Sequence, residues 1–513
     1  MPTLWLMEDQ LSIELVRQLS PDRVLLIESR RHYAAGEFHK HRIAFQVSAI
    51  RHFADEVRAA GFAVHHYGLG RRPYLDSVSA IKHLVKACGD SQFVVIDPSE
   101  HHCAVWIDSL ADAQAEALGI EIRIEPNTLF LTDREEFAAW AQPLKRPIME
   151  HFYRRMRTKL GVLVEADGSP VGGEWNLDKE NRKPAKRGMM FPPPLAISPD
   201  AITQGALKDV ERVFPNHPGT TEGFSLPVTR ADAERAWDDF VKHRLPQFGD
   251  YEDAMLTGEP ILNHSFVSML LNVALLSPMK LVRDVEAAYR AGRVPLNSAE
   301  GFIRQIIGWR EYVYGIYWSF MPEYRARNSR GSKLDLPDWF WTGKTEMNCL
   351  SHCISGVVER AYSHHIQRLM VICNFATLAA LSPQAVNDWF YAMYVDSHDW
   401  VVTPNVVGMG MNADGGTIAT KPYISSAAYI NRMSDYCQGC RFDPAERTGE
   451  LACPFNYLFW TFLHHFADRF KNNPRMTMML KNAQKIEADQ MRQMMQQRKT
   501  FIELHVRGKA YRP

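Results

Sequence analysis

The stretch from residue 435 to residue 456, DYCQGCRFDPAERTGELACPFN, contains three cysteines in the spacing C-x2-C-x12-C. They are Cys437, Cys440 and Cys453, and a proline follows the last one. A soft metal centre takes four sulfur ligands, or three sulfurs and one nitrogen, so this set needs a fourth member. The best candidate is Cys349, in the upstream segment WTGKTEMNCL.

Two metal centres compete for these thiols. A C-x2-C run with a Cys-Pro at its end recurs in chains that bind iron–sulfur clusters, which favours [4Fe–4S]. Zinc ranks second, because zinc sites more often have two matched C-x2-C pairs or a pair of histidines, which this segment lacks. The interpretation without a metal, buried free thiols, requires this close spacing to arise by chance in a chain with eight cysteines.

Three further segments combine residue types that bind cofactors or move protons. They are GWREY at residues 308–312, HHIQR at residues 364–368 and DSHDWVVTPN at residues 396–405. Each has an ordinary explanation when taken singly, since aromatic residues at helical spacing usually form a core and a histidine pair is usually structural. Together with the cysteines they point to one functional domain.

The elements that must position these residues divide the chain into three regions. Residues 1–131 alternate short apolar strands, at 4–7, 23–27, 63–67, 93–96 and 120–124, with helical patterns, which predicts a doubly wound parallel α/β domain. Residues 132–230 are rich in proline and glycine and predict an interdomain loop or linker. Residues 231–513 carry apolar residues at i, i+3 and i+4, which predicts a large all-α domain.

Composition and motifs exclude several classes of protein. No G-x-G-x-x-G follows the first strand, which argues against a Rossmann oxidoreductase. Lys+Arg and Asp+Glu both number 59, so DNA would have to bind a local cationic patch. No apolar run approaches a membrane span and no signal peptide is visible. The other cysteines are scattered singly, as in a reducing compartment, so we expect a cytoplasmic protein with no membrane partner.

The chain resembles the photolyase/cryptochrome family, and within it the bacterial iron–sulfur branch of (6-4) photolyases. The resemblance covers essentially the whole chain and is carried by GFIRQIIGWREY, PDWFWTGKTEMNC, AYSHHIQRLM, NRMSDYCQGCRFDP and ACPFN. It implies an antenna-binding α/β domain, a long interdomain loop and a helical domain that holds FAD. It also implies a structural [4Fe–4S] cluster on the four cysteines, and a monomer that associates with the nucleoid.

The function implied by this resemblance is light-driven repair of (6-4) pyrimidine–pyrimidone photoproducts in UV-damaged DNA. Reduced FAD would supply the electron, and a histidine is suited to supply the proton near neutral pH. His365 is the predicted donor, with His364 as its neighbour and Tyr423 as a partner. Animal (6-4) enzymes carry a second histidine where this chain has Leu369, which favours a single-histidine reaction. The alternative function is a cryptochrome-like blue-light receptor with little repair activity.

The resemblance also implies a flavin pocket and an electron route to it. Trp341 and Trp389 match the photoreduction residues of the branch, but Phe390 stands where other members can carry tyrosine. Trp400 or Tyr394 is expected to replace that step. Gln305 and Trp309 are expected to border the lesion. The residues predicted to bind FAD are Asn263, His264, Ser265, Arg310, Asp396 and Asn405.

Antenna and DNA contacts complete the expected site. The branch resembles binders of 6,7-dimethyl-8-ribityllumazine, which would contact Asp9 and Gln10, while His32 replaces an acidic contact. Arg182 in the interdomain loop is expected near the lesion, and Asp178 with Asp253 is expected to recruit a divalent cation such as Mg²⁺. The segment RARNSRGSK is predicted to meet DNA phosphates, through Arg325, Arg327, Arg330 and Lys333.

Overall fold

A parallel sheet of five strands forms the N-terminal part of the protein. The computed structural model describes residues 2–69 and 76–507. All strand pairs are parallel, in the order β3-β2-β1-β4-β5. The central strands are buried on both faces, which their continuous apolar sequence allows. The strands are β1 Thr3–Leu6, β2 Arg23–Ile27, β3 Ala63–Tyr67, β4 Gln92–Ile96 and β5 Glu121–Glu125.

Helices cover this sheet, and the predicted doubly wound α/β architecture is confirmed. The strand order reverses direction between β1 and β4, so a crevice opens at the carboxyl ends of these two strands. The helices of this region are α1 Ile13–Leu19, α2 Arg30–Ala34, α3 Lys40–Ala59, α4 Ser77–Cys88, α5 His101–Ser109 and α6 Ala115–Leu118.

The region between the sheet and the helical domain is an ordered crossover. Residues 174–200 contain no helix or strand, yet they are bonded to the helical domain. The backbone N–H of Leu177 donates to Glu300 Oε2 at 3.0 Å, and the amide of Asn181 donates to Glu252 Oε2 at 3.1 Å. The helices here are α7 Arg134–Ala141, α8 Met149–Leu160 and α9 Ala201–Val213.

The remainder of the chain is helical and shares one continuous apolar core with β1, β2 and α3. Among the described residues, no helix is both long enough and apolar enough to span a lipid bilayer. The helices are α10 Arg230–His243, α11 Leu245–Phe248, α12 Ser268–Asn272, α13 Pro278–Arg290, α14 Leu296–Ile303, α15 Glu311–Phe320, α16 Trp339–Thr342, α17 Asn348–Arg360, α18 Asn374–Leu378, α19 Pro383–Met393, α20 Asp399–Thr403, α21 Ala427–Met433, α22 Pro454–His465, α23 Ala467–Phe470, α24 Thr477–Gln484 and α25 Ala488–Phe501.

Three π-helical segments interrupt the helices at the centre of this domain. They are Arg304–Arg310 between α14 and α15, Gln367–Cys373 before α18, and Pro404–Gly410 after α20. A π-helical turn is rare because its i→i+5 hydrogen bonds are less favourable, and it is frequent at functional sites. The three segments contain the GWR, QRLM and PN parts of the motifs that the sequence singles out.

Candidate functional site

A cavity of about 1210 Å³ occupies the centre of the helical domain. All three π-helical segments contribute to its wall, so the local departure from α-helical geometry coincides with the place where side chains must face a ligand. Most of the residues that the sequence predicts for flavin, lesion and proton transfer line this one space: Arg182, His264, Ser265, Gln305, Trp309, Arg310, His365, Asp396, Asn405 and Tyr423.

A buried ion pair forms part of the cavity wall. Both Asp396 carboxylate oxygens accept from the Arg368 guanidinium, at 3.1 and 3.0 Å, and the Ser268 hydroxyl donates to Asp396 Oδ2 at 2.6 Å. The Arg368 guanidinium also lies over the Tyr394 ring, 4.2 Å from its centroid. The bidentate geometry fixes both side chains, since two parallel charge-assisted bonds allow little rotation.

Arg310 presents a cation to another part of the wall. Its guanidinium donates to Glu311 Oε1 at 2.6 Å and lies 4.3 Å from the centroid of the Phe130 ring and 5.4 Å from that of Trp400. Its Nε is buried out of reach of water and has no hydrogen-bond partner in the protein. Glu311 and the two aromatic rings therefore hold the guanidinium at the cavity wall.

The two adjacent histidines have different surroundings. The His365 ring lies open on the cavity wall, whereas His364 is fully buried and does not line the cavity. His364 stacks on His264, with ring centroids 4.5 Å apart, and neither of its ring nitrogens has a hydrogen-bond partner. The predicted role of His364 as a neighbour that orients His365 therefore has no hydrogen bond to support it.

The walls of the cavity act on the protonation of His365. Although its ring is exposed to the space of the cavity, the surrounding protein lowers the pKa of His365 to about 4, first by displacing bulk water and second through the positive charge of Arg368. Burial likewise lowers the pKa of His264 to about 3. A neutral imidazole is a base and donates its remaining N–H proton only with difficulty, so His365 must first gain a proton, which negative charge nearby favours, before it can act as an acid.

Acidic residues and Tyr423 line the mouth of the cavity beside Arg182. Arg182 forms an ion pair with Asp178, which also accepts from Arg304 at 3.2 Å. Burial and the neighbouring Asp178 charge raise the pKa of Asp253 to about 6. Burial also raises the pKa of Tyr423, so its hydroxyl stays protonated at neutral pH. Because two guanidinium groups already hold Asp178, a divalent cation here remains a prediction.

Several cations at the mouth were not found from the sequence. They come from three separate parts of the chain, which is why no basic run marked them: Lys421, Arg432 and Arg475. Arg432 and Arg475 are exposed, and Lys421 is half-buried with a pKa that burial lowers. With Arg182 they place positive charge around the opening.

The RARNSRGSK segment does not line the cavity. Arg325 pairs with Asp388 at 2.6 Å and with the buried Asp399, and Arg327 donates to Thr417 Oγ1 at 2.9 Å. The guanidinium of Arg330 donates to the carbonyl oxygens of residues 411 and 412. Lys333 is exposed. The three arginines are engaged within the protein because the loop folds back on α20 and on residues 411–417.

The four cysteines of the predicted metal site come together at the C-terminal side of the domain. Cys349 lies in the first turn of α17, Cys437 and Cys440 flank a tight turn, and Cys453 precedes Pro454 of α22. All four line one small cavity, together with apolar side chains that include Phe442 and Phe455. Burial raises the pKa of the Cys437 thiol to about 11.

Comparison with known proteins identifies the family. A family model described as "Deoxyribodipyrimidine photo-lyase-related protein" matches residues 4–226. A protein of Agrobacterium fabrum named (6-4) photolyase is 44% identical over 481 residues, which are 91% of this chain and 94% of that protein. This chain belongs to the photolyase/cryptochrome family.

Solved structures of photolyases and cryptochromes share the fold. A bacterial class III photolyase from Agrobacterium tumefaciens superposes with a TM-score of 0.55 and 14% identity, covering 95% of this chain and 93% of that one. A Synechocystis cryptochrome also gives a TM-score of 0.55 and 14% identity, covering 96% and 93% of the two chains. At this identity the likeness concerns the arrangement of the α/β and helical parts.

Membership in the photolyase/cryptochrome family implies FAD, and the cavity fits it. Its volume exceeds that of a typical small-molecule pocket. Its wall carries hydroxyl, amide and guanidinium side chains, including Ser265, Asn405 and Arg368, to which such a cofactor can hydrogen-bond. Asn263 lies behind this wall, buried, with its amide donating weakly to Gln247 O and its Oδ1 unpartnered.

Aromatic rings lead away from the photolyase cavity at Phe390. The Phe390 ring lies on the wall and contacts Trp389, with ring centroids 5.2 Å apart, and it stacks on Tyr394 at 4.9 Å. The Trp389 indole donates to Phe340 O at 3.0 Å, which holds the ring in place. Trp400 lies directly on the wall. Trp341 is half-buried.

The predicted antenna residues lie at the crevice between β1 and β4. The Gln10 side chain accepts from Met7 N at 3.1 Å and donates to Ile96 O at 3.2 Å, so both its polar groups are used by the backbone. His32 lies 3.3 Å from Glu8. Burial, together with Glu8 and Glu100, raises the pKa of Asp9 to about 8. An antenna contact through these residues stays a prediction.

Proposed function

We propose that this protein repairs (6-4) photoproducts in DNA by light-driven electron transfer. One observation carries the proposal: a single cavity joins the residues matched to flavin binding, such as Arg310 and Asp396, to those matched to the lesion, such as His365 and Tyr423. Electron transfer requires donor and acceptor to be close, and a shared cavity brings them together. The relative named (6-4) photolyase supports the same reaction.

The chain's own residues would bind the lesion and control a proton. FAD, when bound and reduced, supplies the electron. Tyr423 keeps its proton because burial raises its pKa, so its hydroxyl is a hydrogen-bond donor beside the lesion. His365 is neutral until negative charge approaches, because burial and Arg368 lower its pKa to about 4. DNA phosphates and the transferred electron would add that charge and raise the pKa of His365, so that the ring takes up a proton from water and can pass it to the lesion.

DNA is proposed to bind over the mouth of the cavity. Photolyase substrates must leave the base stack to enter a pocket, which is easiest for damaged nucleotides. Phosphates on either side of the gap require cations, and Arg182, Lys421, Arg432 and Arg475 surround the opening. A divalent cation such as Mg²⁺ beside Asp253 would add to this positive charge.

The test of the proposed function uses His365→Ala with His243→Ala as its control, since His243 is exposed in the last turn of α10. His365→Ala should keep FAD and bind DNA carrying a (6-4) lesion, yet lose at least 100-fold in light-dependent repair, the lower end of what general acid catalysis contributes. The control should repair at the original rate. Repair by His365→Ala within a few-fold of the control would refute the assigned role, and loss of FAD would show a structural one.

The four cysteines are proposed to hold a [4Fe–4S] cluster. Among the described residues, the one group of three or more candidate ligand atoms that all lie within 4.8 Å of one another is Glu100, His102 and Cys103. The four thiols around Cys437 are therefore spread more widely than the ligands of a single zinc ion, whose bonds to sulfur are about 2.3 Å long. A cluster of several iron and sulfide ions matches the wider spread, and it would tie α17 to α22.

The finer assignments of the antenna and the assembly remain our proposals as well. 6,7-dimethyl-8-ribityllumazine is proposed in the crevice at Asp9 and His32, where buried polar groups meet at the carboxyl ends of two parallel strands. An absorption spectrum of the purified protein would separate the flavin, cluster and lumazine bands, and absence of the lumazine band would refute that part. The protein is further proposed to act as a monomer.

A further inference from the structure

A second set of side chains able to bind a metal lies in the N-terminal α/β part, whereas the four cysteines lie in the helical domain. Glu100 ends the turn after β4, and His102 and Cys103 lie in the first turn of α5. The ligand atoms of all three lie within 4.8 Å of one another. Neither flavin binding nor the proposed repair reaction uses any of them.

We propose that Glu100, His102 and Cys103 bind one Zn²⁺ ion. Zinc accepts oxygen, nitrogen and sulfur ligands at about 2.0–2.3 Å, so ligand atoms around it lie roughly 3.3–3.8 Å apart. His102 Nε2 is already 3.6 Å from Glu100 Oε2. The Cys103 Sγ lies within 4.8 Å of both other ligand atoms, and rotation of this half-exposed side chain would close the remaining distance.

Each ligand is available to a metal. Glu100 Oε1 accepts from the backbone N–H of Asp399, which holds the carboxylate with Oε2 towards His102. Oε2 also accepts a long hydrogen bond of 3.5 Å from the Tyr391 hydroxyl, which a metal ion would replace. The His102 side chain is 52% exposed, which provides an entry path and an open coordination position for water.

Carboxyl groups surround the proposed site. Glu8 and Asp399 lie near both Glu100 and Cys103, and the neighbouring cations are Arg42 and Arg325. A bound ion with two positive charges would be stabilised by these carboxyl groups.

The site is connected to the wall of the main cavity. Asp399 begins α20, whose next residue is Trp400, and the Tyr317 hydroxyl donates to Asp399 Oδ2 at 2.7 Å. The backbone N–H of His101 donates to the same hydroxyl at 2.9 Å. Zinc at α5 would hold Glu100 in place beside the backbone N–H of Asp399, the contact that joins the α/β part to α20.

The experiment measures zinc binding to the whole protein. After treatment with a chelator, the protein is equilibrated with ZnCl₂ and bound zinc is counted by mass spectrometry. Co²⁺ then serves as a spectroscopic probe, since a thiolate ligand gives a charge-transfer band. We expect the unaltered protein to bind one more equivalent of zinc than Cys103→Ser does. Zinc binding should be at least tenfold weaker in both Cys103→Ser and His102→Ala than in the unaltered protein. These two side chains are partly exposed, so both variants should fold and keep FAD.

Cys88→Ser is the matched control, because Cys88 is an exposed thiol 3.6 Å from His65 Nε2 on the opposite side of β2. It should bind zinc as the unaltered protein does. Zinc binding that is unchanged in Cys103→Ser would assign the metal to the thiols around Cys437 and overturn the proposal. Failure of the unaltered protein to bind an equivalent of zinc would overturn it too.

Discussion

The buried pair of Asp396 and Arg368 should be strongly coupled in stability. Asp396 is 6% exposed and makes two bonds to the guanidinium at 3.0–3.1 Å. Asp396→Asn alone leaves Arg368 as an unpaired cation inside the protein, which costs about 3–5 kcal/mol. The double change Asp396→Asn/Arg368→Gln leaves neither charge unpaired, so it should cost about 2–3 kcal/mol less than the sum of the single changes.

The assay is a double-mutant cycle by urea unfolding, followed by tryptophan fluorescence. The control cycle uses Asp55 and Arg58, an ion pair on α3 whose side chains are 56% and 47% exposed, for which coupling of about 0–1 kcal/mol is expected. Coupling at Asp396–Arg368 no larger than in this control would refute the claim that burial strengthens the pair.

The same variants change the pKa of His365 in opposite directions. Arg368 contributes a positive charge that, after burial, lowers this pKa. Arg368→Gln should therefore raise the pKa of His365 above about 4, whereas Asp396→Asn should lower it further, because the guanidinium loses its counter-charge. Nuclear magnetic resonance titration of the His365 ring measures both. Shifts of the same sign in the two variants would contradict the electrostatic explanation.

Three further predictions concern the metal, the electron route and DNA. Cys437→Ala should lose iron and soluble yield, while Cys353→Ala, a buried thiol that does not line the cysteine cavity, should keep both. Trp389→Phe should slow photoreduction of the flavin, and repair by chemically reduced enzyme should stay within twofold, measured by transient absorption and product analysis. Arg475→Glu should weaken DNA binding and reduce the slope of log affinity against log salt by about one. Lys333→Glu, at a site away from the cavity, should leave that slope nearly unchanged. An equal reduction of the slope in Arg475→Glu and Lys333→Glu would indicate that DNA binds at the RARNSRGSK loop.

Local patterns were sufficient to predict the fold and the family. The strands predicted at residues 23–27 and 63–67 agree with β2 and β3. Their shortness favours a strand over a helix in each case, and β2 is an apolar run as well. The cysteine spacing predicted that these thiols lie together, as they do around one small cavity, because two of them are close neighbours along the chain. These features depend on short-range order, which a single sequence contains.

Tertiary structure alone decided which side chains reach the cavity. His364 and His365 are adjacent in sequence, yet the start of the π-helical segment directs only His365 to the wall and buries His364 against His264. The arginines of RARNSRGSK form a basic run but are held by Asp399 and by backbone carbonyls. In contrast, the cations of the mouth come from distant segments, since packing brings together residues that no local spacing relates.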